Sequence, residues 1–453
     1  MGKKNAHSFY SLWRPAIHGG SRLLRRIAGT GLLFFSIFFS GTGEPIVVSG
    51  SAVKPFLGKP VERLRVVDHR GTAIPFQIDE VLPDDDYACP SGKEPRAGNS
   101  VLDSSDEIVF LWEDADTVDS SADDTSDSLP RGAGRARGTR ISVGHSSQTR
   151  YVFLVDDSTI PLSATKYISY DPKTEEVTTP YYRATFQRDR FHFIRAGVKD
   201  FSNGAFVDLT NELRIEICFR ALWGLIPIHY SEDDIVCLVK RYKAGPIRLI
   251  RRGDFYLKLG LWIKGSHAAV NQLCYPEMVR VPVYVNLPMH FSSLFSQAYV
   301  EMTPVLTGET KRFSFRVPQY DVDFQCGKNA RVDSIVPINP NHGFMTVENG
   351  AVGYGWLLDA TMQPAYLDGS GFVYSKPTRR KGLCHCGFRL SVRDLPKGSY
   401  AITNWVVFSN SGAAAFALDN AAECLKNMAA LSVGPEGAAS VNQLTKSMKY
   451  RKR

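Results

Sequence analysis

Apolar residues recur at every second position in short runs along most of this chain, and Gly, Pro, Asn or Asp ends each run before a helical period develops. The clearest case is the stretch 212–220, in which Leu213, Ile215 and Ile217 share one phase and Arg214, Glu216 and Cys218 the other. Period two with one apolar phase is the mark of a strand that buries one face and wets the other. Similar runs predict strands at 61–67, 74–78, 107–112, 151–155, 181–188, 191–194, 234–241, 246–251, 254–263, 279–286, 297–302, 311–317, 350–358 and 400–408. The first two read as a hairpin turning at Asp68–Gly71, and Pro75, which has no N–H to donate, places its strand at an edge.

One stretch departs from this rule. Residues 413–431 hold eight Ala, and Leu418, Ala421, Ala422, Leu425, Met428 and Ala429 fall at helical spacing. The pattern as a whole predicts an all-β fold: a large antiparallel β-sandwich, as one body or as two packed β domains, with a C-terminal helix. The expected order is an N-terminal β domain over 44–163, the sandwich over 164–410, and a helix with a basic tail over 411–453. An outer-membrane barrel competes for the same strands. It needs even runs near ten residues with lipid-facing alternation, whereas these runs are uneven and carry charge on both phases. Without repeated helices between strands, a doubly wound sheet or a (β/α)8 barrel is disfavoured.

Composition changes this picture mainly at the N-terminus. The 453 residues are 43% hydrophobic and 22% charged, which excludes a disordered or fibrous chain. Residues 1–43 carry Lys3, Lys4, Arg14, Arg22, Arg25 and Arg26 and no acid, then an apolar run at 27–39, then Ser40-Gly41-Thr42-Gly43. A basic start, a short apolar run and small residues predict a signal peptide and an exported protein, periplasmic, at the cell surface or extracellular. An uncleaved anchor is the alternative, although thirteen residues fall short of the ~20 of a spanning helix. Arg25-Arg26 also fits twin-arginine export. Removing the segment lowers Lys plus Arg from 54 to 48 against 46 acids, so the formal +8 belongs mostly to the leader and is no footprint for nucleic acid. No transmembrane span is expected in the remainder.

Charge in the rest of the chain is local. Fourteen acids lie between 84 and 127, opposed there by Lys93 and Arg96, and Arg131, Arg135, Arg137 and Arg140 follow, which predicts a solvated acidic loop near 115–138. Asp79, Asp84 and Asp86 cluster after a strand and are candidate calcium ligands, since Ca²⁺ takes six to eight oxygens. They do not follow the twelve-residue calcium-loop spacing.

Eight cysteines in an exported chain allow disulfides, and Cys218 with Cys237, in neighbouring strand-like runs, is the preferred pair. Cys384-His385-Cys386 offers soft ligands for zinc or copper, but in an extended segment the imidazole points away from the two thiols.

Two constellations address function. His229, Tyr230 and Glu232, with Arg251 a strand away, supply a base, an acid and a cation, as a polysaccharide lyase or a glycoside hydrolase requires. Trp262, Trp356, Tyr366 and Trp405, with Tyr284 and Tyr374, could form a stacking platform for sugar rings. The expected function is therefore binding or processing of a carbohydrate. The alternative is a non-enzymatic envelope protein with structural or assembly partners, and a metal or redox module at Cys384-His385-Cys386 ranks third.

Overall fold

The computed structural model describes residues 44–117, 138–145, 148–231, 234–258, 264–287, 289–317, 320–325, 334–337, 344–360, 369–375 and 384–410. The expected leader, most of the acidic loop and the C-terminal helix lie outside these residues.

Two ten-stranded sheets with antiparallel pairing throughout dominate the molecule, as the alternating runs predict. The first is built around the long strand Phe206–Ala221, flanked by Phe193–Lys199 and Phe295–Leu306, and beyond the latter come His385–Ser391 and Gly371–Ser375. The hairpin strand Ile226–Tyr230 folds back on Phe206–Ala221. The second sheet runs through Phe344–Glu348, Gly353–Ala360, Gly398–Ser409, Met278–Leu287, Lys264–Cys274, Leu249–Lys258 and Ile235–Ala244. The apolar faces of the two sheets meet to give the sandwich.

The strand Leu249–Lys258 departs from the sequence reading, which divides it at Gly253. The strand runs straight through, because the missing Cβ makes room for the Leu238 carbonyl and the Phe191 ring.

Rings pin the sheets together at several points. Phe313 lies 5.0 Å from Tyr374 and Trp356 5.2 Å from Phe388 between ring centroids, while Tyr182 stacks on Phe408 at 4.1 Å. The Thr210 and Tyr354 hydroxyls meet at 2.7 Å across the same interior.

The N-terminal residues form two smaller sheets. Pro45–Ser49, Glu107–Leu111 and Phe76–Asp79 make one, and Leu64–Val67, Gln148–Asp156, Asp116–Thr117 and Gly138–His145 the other. Ile46, Val48, Leu64, Val66, Ile108, Phe110, Val152 and Leu154 pack between them. The opposite phase of Glu107–Leu111, Val109 and Leu111, packs with Ile250, Leu273 and Val407 of the second large sheet. That sheet is consequently covered on its outer face as well as its inner one.

Buried charge crosses this contact. Arg248 donates to Asp79 at 2.7 Å, pairs with Glu107 and donates to the Tyr275 hydroxyl at 2.8 Å. Lys243 reaches Asp79 at 2.9 Å. Asp86 pairs with Arg241 and accepts from Arg252 at 2.7 Å. Asp84 meets Arg96 at the surface. The three carboxylates expected to hold calcium are thus each neutralised by arginine or lysine. Among the described residues no group of three or more His, Cys, Asp or Glu side chains converges as a metal site.

The expected Cys218–Cys237 disulfide is not formed: Cys218 is a free thiol. Its strand, Phe206–Ala221, belongs to the first sheet and the strand of Cys237, Ile235–Ala244, to the second. Nearness in sequence here reflects a crossing from one sheet to the other, and stacked sheets stand ~10 Å apart, beyond the ~4.4–6.8 Å Cα separation of a disulfide. Cys89, Cys274 and Cys386 are also free and buried.

Candidate functional site: an apolar cavity between the sheets

Between the ring contacts the two apolar faces do not close on one another everywhere, and Trp356 and Phe408 themselves border the gap. The gap is a cavity of about 300 Å³. Strict alternation builds its walls: Leu213, Ile215, Ile217 and Phe219 from one sheet, and Val281, Val283, Val285 and Leu287 from the other. Val300, Met302, Ile402 and Val406 extend it. Most of these side chains keep intermediate exposure although a sheet covers them on each side, because they border empty space rather than packed atoms. Protein interiors seldom leave voids larger than one water.

The lining is almost wholly hydrocarbon. Its polar members include Gln272, Asn404, Arg190 and His192. Gln272 Oε1 accepts from Arg251 at 2.7 Å, and Asn404 Oδ1 accepts from the Trp356 indole at 3.1 Å. The half-buried Arg190 guanidinium makes no ion pair among the described residues. It is carried on the tight turn before Phe193–Lys199, where Asp189 takes a positive φ of 58° and Val239 N–H donates to the Asp189 carbonyl at 2.8 Å. A cavity of such chemistry stays dry and takes an apolar guest, since water would find few partners inside.

The residues expected to be catalytic do not converge. His229 and Tyr230 are adjacent on one strand and face opposite ways. His229 is exposed, with Nε2 3.3 Å from Glu216, while Tyr230 packs inward, edge-on to Phe219. Arg251 sits fully buried between the sheets, bound to Glu175 at 2.8 Å and to the Arg190 carbonyl at 2.9 Å, with its guanidinium 3.9 Å from the Phe186 ring centroid. These contacts commit its guanidinium to the cavity wall. Glu232 lies outside the described residues.

The expected aromatic platform does not assemble either. Trp356 is buried in the sandwich core, Tyr374 is buried against Phe313, and Trp405 is half-buried with Arg280 over its ring at 5.1 Å. Trp262 and Tyr366 lie outside the described residues. Cys384 and Cys386 point into the hydrophobic core, and burial lifts the Cys386 thiol well above its ordinary value. His385 is directed to the other side, 3.4 Å from Arg214.

Sequence reasoning missed the cavity, although its signal was present: the inward phases of 212–220 and 279–286 are bulky and aliphatic without a polar break.

No protein-family model matches the chain, and no curated protein matches it. Among solved structures it is similar to an alpha-mannosidase from Enterococcus faecalis V583, at 8% identity and a TM-score of 0.44 over 85% of this chain and 43% of that one. The chain thus spans less than half the length of that protein, and a likeness so slight carries no argument about activity.

Proposed function

We propose that this protein binds a single long-chain amphiphile, with the alkyl chain held between the two large sheets and an anionic headgroup directed to Arg190. The observation that carries the reading is the nearly all-hydrocarbon cavity lined by Ile215, Ile217, Val283 and Met302. Its volume lies at the lower end of the ~300–1,000 Å³ of small-molecule sites. Burial of each methylene of a guest contributes about 0.8 kcal/mol, so a fatty chain gains affinity with length until the cavity is full. Outside the cytoplasm, where the N-terminal pattern of the sequence would send the chain, such a protein serves as a carrier or holder of envelope lipid. This agrees with the non-enzymatic envelope reading more closely than with the glycan one, because the residues offered for sugar chemistry are either engaged elsewhere or turned away from one another.

The test is titration of the full chain with cis-parinaric acid, a fluorescent fatty acid, with palmitate as competitor and soluble acidic and neutral polysaccharides as controls. Saturable binding displaced by palmitate is expected. Val283→Trp, which fills the cavity from a lining position, should weaken it about tenfold or more. Binding of a polysaccharide with no binding of the fatty acid would overturn the proposal in favour of the carbohydrate reading.

A further inference from the structure

Large apolar side chains are exposed at few places among the described residues, and six of the eleven lie in two turns at one end of the sandwich. The first turn, Leu222–Gly224 and the residues after it, displays Leu222, Trp223, Leu225 and Ile226, with Trp223 91% and Leu225 79% exposed. The second, around Phe291–Ser293, displays Met289 and Leu294. They are neighbours, since both adjoin the start of Phe295–Leu306, where Ala221 pairs with Phe295 and Ser296 Oγ donates to the Arg220 carbonyl at 3.2 Å.

Backbone geometry holds the tryptophan outward. Leu222, Trp223 and Gly224 take successive φ values of 47°, 57° and 95°, a left-handed run that residues with a Cβ rarely adopt. Beneath the two turns the rings of Phe219, Phe291 and Phe295 pack with centroids 4.8–5.9 Å apart and give them a stiff base.

Charge at this end is predominantly positive. Residues 219–228 and 287–297 contain Arg220 and His290 and no acid. The turn between His385–Ser391 and Gly398–Ser409 reaches the same end, because Gly398 pairs with Leu287 and Val392 N–H donates to the Ala298 carbonyl. It adds the exposed Arg393 and Lys397, against one acid, Asp394, which lies 3.7 Å from Arg393.

We infer that this end of the molecule docks on an anionic lipid bilayer, inserting Trp223 and Leu225 into the boundary between headgroups and acyl chains while Arg220, Arg393 and Lys397 face the headgroups. Indole is suited to that boundary, being an apolar plate with one N–H donor, and basic residues beside an apolar tip add attraction to anionic lipid. A protein partner is the less fitting occupant, because two narrow tips present neither a flat patch nor a groove of the area a stable interface buries. The inference goes beyond the proposed cavity function and stands on different residues. The two meet at Phe219 and Phe291, which form the base of the tips and also line the cavity.

Co-sedimentation of the full chain with vesicles tests it, using phosphatidylcholine alone and phosphatidylcholine with an equal part of phosphatidylglycerol. Wild-type protein should sediment with the mixed vesicles and less with phosphatidylcholine alone. The double variant Trp223→Ser, Leu225→Ser should lose about tenfold in partitioning. Leu162→Ser, exposed elsewhere on the surface, should behave as wild type. The substituted side chains are mostly in solvent, so an unchanged melting temperature verifies the fold, and fatty-acid binding measured on the same double variant separates failure of the docking from failure of the cavity reading. Wild type remaining in the supernatant with mixed vesicles overturns the inference, as does a double variant that sediments like wild type. Self-association without lipid that the double variant abolishes also overturns it, and assigns the tips to a protein contact.

Discussion

Arg248 shows how much a single buried residue can be asked to hold. Its guanidinium serves Asp79, Glu107 and Tyr275 with almost no access to water. Burial works to raise the Asp79 carboxyl, but Arg248 and Lys243 outweigh it and hold the group below the ordinary carboxylate range. Arg248→Met would leave Glu107 without its cation and Asp79 with Lys243 alone, between the N-terminal sheets and the second large sheet. It should cost about 3–5 kcal/mol in urea unfolding, the usual result of removing one partner of a buried pair. Glu113 is the opposite case. Burial, with smaller contributions from Glu277 and Asp114, lifts its pKa from 4.5 to about 8, and neither carboxylate oxygen has a hydrogen-bond partner among the described residues. Between those two values the folded protein keeps a proton that the unfolded chain releases, so stability falls as pH rises through that window. Glu113→Gln should flatten this dependence and raise the melting temperature at pH 8 relative to wild type, with little change at pH 4. A wild-type melting temperature that rises between pH 5 and 8 in parallel with the variant's would contradict the assignment.

Strands with the same apolar alternation carry different loads according to what they face. Leu64 lies on a four-residue strand in the filled N-terminal core and is fully buried. Leu213, on Phe206–Ala221, borders the cavity and remains half-exposed. Leu64→Ala should cost about 2–5 kcal/mol, the range for truncation in packed cores. Leu213→Ala should cost markedly less, since it enlarges an existing void and forfeits fewer contacts. Equal losses in chemical denaturation would mean that the faces are closed in solution. The alternation in 212–220 was legible from sequence because it is a property of consecutive residues. The continuity of Leu249–Lys258 was not, because it depends on Leu238 and Phe191 approaching Gly253 from other elements.

At the scale of the whole molecule, the buried cysteines Cys89, Cys274 and Cys386 are thiols rather than cross-links. Burial raises Cys89 and Cys274 to about 12 and puts both beyond easy reach of alkylating reagents. Mass mapping should therefore find Cys89, Cys218, Cys274 and Cys386 all labelled after unfolding without a reductant, with Cys89, Cys274 and Cys386 unlabelled in the native protein. A disulfide-linked peptide containing any of the four would refute the arrangement. At this scale the candidate site was least visible in advance. Asp79 and Arg248, 169 residues apart in sequence, are brought together only when the N-terminal sheets dock. Arg251, attractive from sequence as a catalytic cation, is committed to Glu175 from a distant turn.

By itself the sequence determined the all-β class and which side chains share a face, because strand geometry sends alternate residues to opposite sides whatever lies beyond them. It also fixed the oily character of the inward phases at 212–220 and 279–286. Tertiary structure alone decided whether those phases would meet other side chains or empty space. The spacing between two sheets is set where bulky rings such as Phe313, Tyr374, Trp356 and Phe388 wedge against each other, and each such pair joins strands of different sheets that lie far apart in the sequence.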